Sequence, residues 1–281
     1  MLVREGIKSV STGVDIHRDG PLARVVLRSE NQLNLLERRC LVALRDGFAQ
    51  LACEPQVAVV ALSSAGIRAF SAGADLRELA GLDADTARDF SRLGQEVTAR
   101  LESGPFVSVA VIAGVCYGGG LELALACDLR IAAENAVFRY PSARLGILPG
   151  FGGTRRCPAL VGPARSRELM FLGRPIDAAT ALAWGLVNAV VPGTELERTV
   201  ERYLRELADQ DAFALRQTKA CLSRGTQEDF AFEQEAFAAC FARPGIQDRL
   251  RSWRGPLPPD PKASPPPAQG EQRTAAVRPL P

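Results

Sequence analysis

Two runs of strand length, Val57 to Leu62, which is apolar throughout, and Phe106 to Ala113, which is apolar but for Ser108, constrain the fold of this chain most strongly. A strand with one face in water alternates apolar and polar residues. A strand without that alternation is covered on both faces, as in parallel sheets flanked by helices. Helical spacing surrounds both runs. Asn34 to Leu51 carries apolar residues at 35, 36, 41, 44, 48 and 51, which predicts a helix. AGADLREL opens a second helical pattern, continued from Ala84 to Leu101, and GGGLELALACDL begins a third. Val25 to Leu27 and Leu129 to Ala133 are predicted as short strands. Strands and helices in alternation predict an α/β core with crossover connections.

The pattern becomes helical from Ala178. Ala178 to Trp184 is predicted as a short helix closed by Gly185, and Leu196 to Ala208, Asp211 to Ser223 and Phe230 to Ala242 follow as helices. Phe230, Phe237 and Phe241 share one face of the last. Such a helical layer either closes an oligomer or packs on its own core. Nine of the 19 prolines fall in residues 256–281, which are expected to form a disordered or polyproline-like tail. The expected organisation is a core over 1–192, a C-terminal helical region over 193–255 and a proline-rich tail over 256–281. No repeat of fixed period is present.

Composition removes several classes of function. Among the 281 residues, Lys+Arg is 34 and Asp+Glu is 32, a net charge of +2. No bulk field recruits nucleic acid or an anionic membrane, and neither is expected as a partner. His17 is the single histidine and has no motif around it. A two-histidine metal site is therefore excluded, no metal is expected, and any acid–base chemistry falls to a carboxylate or a tyrosine. Seven cysteines without a CxxC pair suggest free thiols in a reducing compartment. The N-terminus lacks a secretory apolar region and no run approaches a membrane span, so a cytoplasmic location is expected.

Two glycine turns carry the chemistry. In RAFSAGADLRE (68–78) a strand gives way to small residues and then a helix, with Asp75 and Glu78 spaced as a helix cap and its reciprocal acid. In IAGVCYGGGLELALACD (112–128) three successive glycines, 118 to 120, precede a helix starting near Gly119. Amides at such junctions lack partners, and the helix adds its positive end. Two turns on adjacent strands can direct two N–H groups at one oxygen, an oxyanion hole. Each turn alone is equally what a tight connection looks like. The phosphate-loop pattern is absent, and Gly118–Gly120 lacks the third glycine of a dinucleotide fingerprint.

FSAGADLREL at 70–79 and IAGVCYGGGLELALACDLRIAAENAVF at 112–138 resemble the two signatures of the crotonase superfamily, the enoyl-CoA hydratase/isomerase family. LGILPGFGGTR at 145–155 and residues 160–192 resemble the segments that follow, and the likeness spans about 8 to 254. The resemblance implies a spiral of ββα units with a C-terminal helical trimerisation region, assembled as a homotrimer or homohexamer. It implies an acyl-CoA thioester substrate and no separate cofactor, CoA being part of the substrate. The thioester oxygen would accept from the amides of Ala74 and Gly119. CoA would lie along 68–77, past Ala72, with Arg68 and Arg77 near its phosphates, unless these arginines are only solvated surface charges. Gly150 matches a glycine that lines the water and acyl site.

Glu122 matches the first catalytic glutamate. Its neighbours Leu121, Leu123 and Leu125 predict partial desolvation and a raised pKa; a first-turn Glu is also favoured simply by the helix dipole. The second glutamate should follow Pro141, and there the chain has Ser142. A serine can hydrogen-bond water or substrate but cannot act as a carboxyl acid. Tyr140 faces either the pocket or the core. Three functions remain open: water addition to a 2-enoyl-CoA by Glu122 with Ser142 helping; isomerisation, decarboxylation or C–C cleavage through an enolate with one carboxylate; and acyl-CoA binding without catalysis. Acyl preference is expected to lie in 79–100, where Gly81, Asp83 and Asp85 suggest a flexible lid.

Overall fold

A computed structural model describes residues 13–224, with 234, 235, 237, 239, 240 and 243–246. The proline-rich tail and most of the predicted helix 230–242 lie outside the described residues. The chain separates into one unit ending at Cys240 and another beginning at Phe241. Every element named below belongs to the first.

A six-stranded sheet runs in the order β1 (Val14–Asp19), β2 (Leu22–Leu27), β3 (Val59–Ser64), β5 (Val107–Ile112), β7 (Leu129–Ala133), β10 (Ala189–Val191). Within this sheet only the β1–β2 pair is antiparallel. A smaller sheet runs in the order β4 (Ala69–Ser71), β6 (Val115–Tyr117), β8 (Val137–Arg139), β9 (Ile176–Asp177). The chain makes a strand of the large sheet, a short strand of the small sheet, and then helix. The first such turn ends in α2 (Leu76–Leu79) and α3 (Ala84–Ser103), the second in α4 (Gly119–Ala126). The third passes a 3₁₀ turn, Ser142–Leu145, into α5 (Gly153–Leu172). This is the expected spiral of ββα units.

The two apolar runs are explained by burial on both faces. Val60, Leu62, Ala110, Ile112 and Ala132 point into the main core, with α1 (Arg38–Ala52), α3 and α4. Their alternates Val59, Ala61, Val109, Val111 and Ile131 point the other way and meet Val200 and Leu204 of α7 (Leu196–Ala208). Helix α6 (Ala178–Ala183) ends as expected, with Gly185 at φ +78°. No helix among the described residues is long and apolar enough to cross a membrane.

Three local expectations are corrected. The first helix starts at Arg38 rather than Asn34, because Gln32 and Asn34 have positive φ and Leu36 forms a parallel bridge with Ala74. Glu78 does not reach back to its cap. Asp75 alone caps α2, accepting from Arg77 N at 2.8 Å, while Glu78 accepts from Arg38 N at 2.9 Å and ties α2 to α1. The supposed lid is mostly the regular helix α3, and Asp83 is its N-cap in a reciprocal capping box with Thr86.

Helix α8 (Ala212–Arg224) is fastened by a buried cation. Lys219 Nζ donates to Leu101 O at 2.6 Å, Phe106 O at 2.8 Å and Asp128 Oδ2 at 2.7 Å. Asp128 in turn accepts from the Ser108 amide and hydroxyl. Lys219→Met keeps the apolar length and removes all three bonds. We expect a loss of about 2–3 kcal/mol in urea unfolding. A loss below about 0.5 kcal/mol would mean that apolar contacts alone seat α8.

Candidate active site

Parallel pairing of β4 with β6, in the register Ala69↔Val115 and Ser71↔Cys116, sends the two glycine turns out side by side. Gly73 is at φ +94°, and a Cβ there would lie 2.8 Å from Tyr117 O and 3.3 Å from Gly119 N. The turns therefore touch, and only glycine permits it. The first turn is tied down around its tip. Ala72 N donates to Leu33 O, Leu36 N donates to Gly73 O, and Gly73 N donates to Ser71 Oγ. In the second turn Gly118, at φ +50°, donates its N–H to Arg139 O. Among the described residues, the N–H groups of Ala74 and Gly119 have no protein acceptor.

Every residue of α4 is buried, as expected of a helix apolar on all sides. Glu122 is carried inside with it and is 2% exposed. Its Oε1 accepts from Phe151 N at 2.8 Å and Gly153 N at 2.7 Å. Burial pushes the carboxyl up to about 7, against the downward pull of the Gly153 and Phe151 amides, Arg156 and the Gly150 amide.

The loop that supplies these amides is clamped. Phe151 O accepts from Thr98 Oγ1 at 2.9 Å and Arg156 Nη1 at 3.0 Å. Gly150 O accepts from Ser91 Oγ at 2.6 Å and Gln95 Nε2 at 3.0 Å. Arg156 is itself held by Glu102 at 2.6 Å. The Phe151 ring fills the space where a Cβ on Gly94 or Gly119 would stand, 2.0 Å and 2.8 Å away. A Cβ on Gly153 would meet Tyr140 Oη at 2.4 Å and Glu122 Oε1 at 2.9 Å.

The turn that carries Ala74 touches Gly119, and Gly119 and Glu122 share the first turn of α4. Ser142 is buried in the 3₁₀ turn, and Pro141 before it lies 3.9 Å from the Cβ position of Gly118. Ala72 is half-buried, and Gly150 is tied to α3 by its carbonyl. Arg68 and Arg77 are exposed; Arg68 donates to Asn31 O and Arg77 pairs with Asp75 at 2.7 Å. A hollow of about 100 Å³ beside Arg77 is lined by Arg28, Asn31, Glu37 and Arg39 and is distinct from the Glu122 cluster. His17 is exposed on β1. Among the described residues no three His, Cys, Asp or Glu side chains are grouped as metal ligands. Sequence reasoning missed the Phe151 and Gly153 amides, Thr98 and Arg156. The available signal was Gly94, a glycine inside a helical pattern, which marks a close approach.

Paired amides beside a carboxyl of nearly neutral pKa can hold a developing oxyanion and move a proton. The shift also leaves a trace in stability. Folded Glu122 holds its proton up to about 7, well above the ordinary range of a free glutamate, so the folded state binds more protons in that window. Stability therefore falls as pH rises through it. Glu122→Gln keeps the Oε1 acceptor and cannot ionise. Between pH 5 and pH 8 we expect the wild type to lose about 1–3 kcal/mol of unfolding free energy that the variant retains. Parallel stability profiles for the two proteins would contradict the shift.

Comparison with known proteins agrees with the geometry. Residues 18–254 match the family model described as enoyl-CoA hydratase/isomerase. The chain is 36% identical over 231 residues to a crotonyl-CoA hydratase of Syntrophomonas wolfei, covering 81% of this chain and 89% of that protein. It is 35% identical over 244 residues to a short-chain-enoyl-CoA hydratase of Clostridium acetobutylicum, covering 85% and 94%. The crystal structure of an enoyl-CoA hydratase from Bacillus anthracis superposes with a TM-score of 0.81 at 34% identity, covering 85% of this chain and 95% of that one. Signature turns, spiral fold and family model coincide over the same residues, and the chain belongs to the enoyl-CoA hydratase/isomerase family, within the crotonase superfamily.

Proposed function

We propose that this protein catalyses reversible addition of water to a 2-enoyl-CoA. The observation that carries the reading is the buried Glu122 carboxyl in the first turn of α4, the helix that begins at Gly119, whose N–H and that of Ala74 have no protein acceptor among the described residues. The names of the relatives, crotonyl-CoA hydratase and short-chain-enoyl-CoA hydratase, support it.

In this mechanism the thioester oxygen accepts from Ala74 N–H and Gly119 N–H. Glu122 takes a proton from water as the water oxygen bonds to C3. The C2–C3 π electrons move toward the carbonyl, and the charge collects on the thioester oxygen facing the two amides and the positive end of α4. Glu122 then returns the proton to C2, so one carboxyl completes the addition. Ser142 serves as a hydrogen-bond partner of the water. CoA lies along 68–77, past Ala72, with Arg68 and Arg77 toward its phosphates and Gly150 lining the water side. The chemistry uses only protein groups and the thioester. Assembly as a homotrimer or homohexamer and a cytoplasmic location belong to the same reading. Exposed Leu148 and Phe171, at 71% and 73%, support self-association.

Ser142 in place of a second carboxyl favours one alternative. Glu122 removes a proton from C2 of a 3-enoyl-CoA and returns it to C4, moving the double bond with one acid–base group. Incubation with a short 2-enoyl-CoA and a 3-enoyl-CoA, alongside Glu122→Gln, separates the two. We expect hydration, with kcat lowered at least about 100-fold by the substitution. Bond migration without hydration would establish the alternative, and undiminished turnover by Glu122→Gln would remove both. In the proposed mechanism Ser142→Glu increases the hydration rate, because a second acid then protonates C2.

A further inference from the structure

We propose that Tyr140 is a positioning residue for Glu122, its buried hydroxyl donating a hydrogen bond to the Glu122 carboxylate across the space that Gly153 leaves open. Tyr140 follows β8 directly and is 0% exposed. Its Oη is the one buried side-chain oxygen among the described residues left without a partner. A buried hydroxyl without a partner is unfavourable, so an acceptor within reach is taken up.

The titratable and charged groups around the hydroxyl are Glu122 of α4, Cys116 of β6, and Arg156 and Cys157 of α5. Arginine offers only donors, and thiols are weak acceptors. The carboxylate is the strong acceptor of the set. It has about four acceptor sites, and the Phe151 and Gly153 amides take two of them.

The geometry brings the two groups to one point. The Cβ position of Gly153 lies 2.4 Å from Tyr140 Oη and 2.9 Å from both Cγ and Oε1 of Glu122. No atom of Gly153 fills that point. The terminal torsion of a glutamate is soft, and this is the freedom by which, in the proposal, the carboxylate and the hydroxyl meet. A donor to the charged form holds the carboxylate in one orientation and favours its ionised state.

The inference concerns the same carboxyl as the proposed function, and its test is independent of turnover. The C=O stretch of protonated Glu122, identified by its loss in Glu122→Gln, is followed by infrared spectroscopy across pH. In Tyr140→Phe we expect the midpoint to rise by about half to one pH unit, because the charged form has lost a donor. Placing 3-fluorotyrosine at 140 makes the O–H a stronger donor and lowers the midpoint. A midpoint unmoved in both variants overturns the proposal. Should the phenylalanine variant fail to fold, the fluorotyrosine protein decides alone, with no downward shift counting against it. Full activity in Glu122→Gln would remove the proposed function and leave this hydrogen bond standing. An unmoved titration would remove the bond and leave the role of Glu122 standing.

Discussion

A carboxyl group on a helix with no exposed residue is the constraint around which this structure is arranged. Helix α4 is apolar apart from Glu122 and buried throughout. Burying a carboxylate without partners is prohibitive, so backbone must come to it. The segment 150–153 supplies two amides to a single oxygen, and α3 holds that segment through Ser91, Gln95 and Thr98. Close approach of so much backbone leaves no room for side chains. Gly94, Gly119, Gly120 and Gly153 each stand where a Cβ would fall within 3.0 Å of a neighbour. The glycines therefore mark packing around one acid as much as flexibility of turns.

The sheets explain why the two amide-bearing turns meet at all. Strands β3 and β5 are adjacent and parallel in the large sheet, and β4 and β6 repeat that adjacency in the small one. Successive turns of the spiral then emerge in the same direction, one pairing apart. Covering both faces of the large sheet is what permits this stacking, and α7 supplies the outer cover through Val200 and Leu204. The position of Ala74 against Gly119 is thus a consequence of core packing, with Gly73 as the point of contact.

Much of this was legible in the residues. The unalternating runs at 57–62 and 106–113 gave two-faced strands, the triple glycine gave the start of α4, and the leucines around Glu122 gave its desolvation. Other features carried no local signal. Strands β4, β6 and β8 have three residues each, too few for a period to show. Glu78 looked like a reciprocal cap because spacing cannot tell a contact within one helix from one to Arg38, 40 residues away. The amides on Glu122 are 29 and 31 residues distant in sequence and come from main chain, which no side-chain pattern reports. Tyr140 is ambiguous in sequence because an aromatic ring suits core and pocket alike; the structure seats it, fully buried, in the main core.

The absent second carboxyl and the raised proton affinity of Glu122 bear on each other. Two acids can divide the work, one ionised to accept a proton and one protonated to deliver it. A single group must do both in turn, and it does so best when its pKa lies near the working pH. At its usual value Glu122 would accept weakly and hold too little of the acid form. At about 7 it is poised for either direction. Burial in α4 supplies the rise, and the amides of Phe151 and Gly153 limit it. In the proposed mechanism, the helix that hides the acid is therefore also what lets one acid stand in place of two.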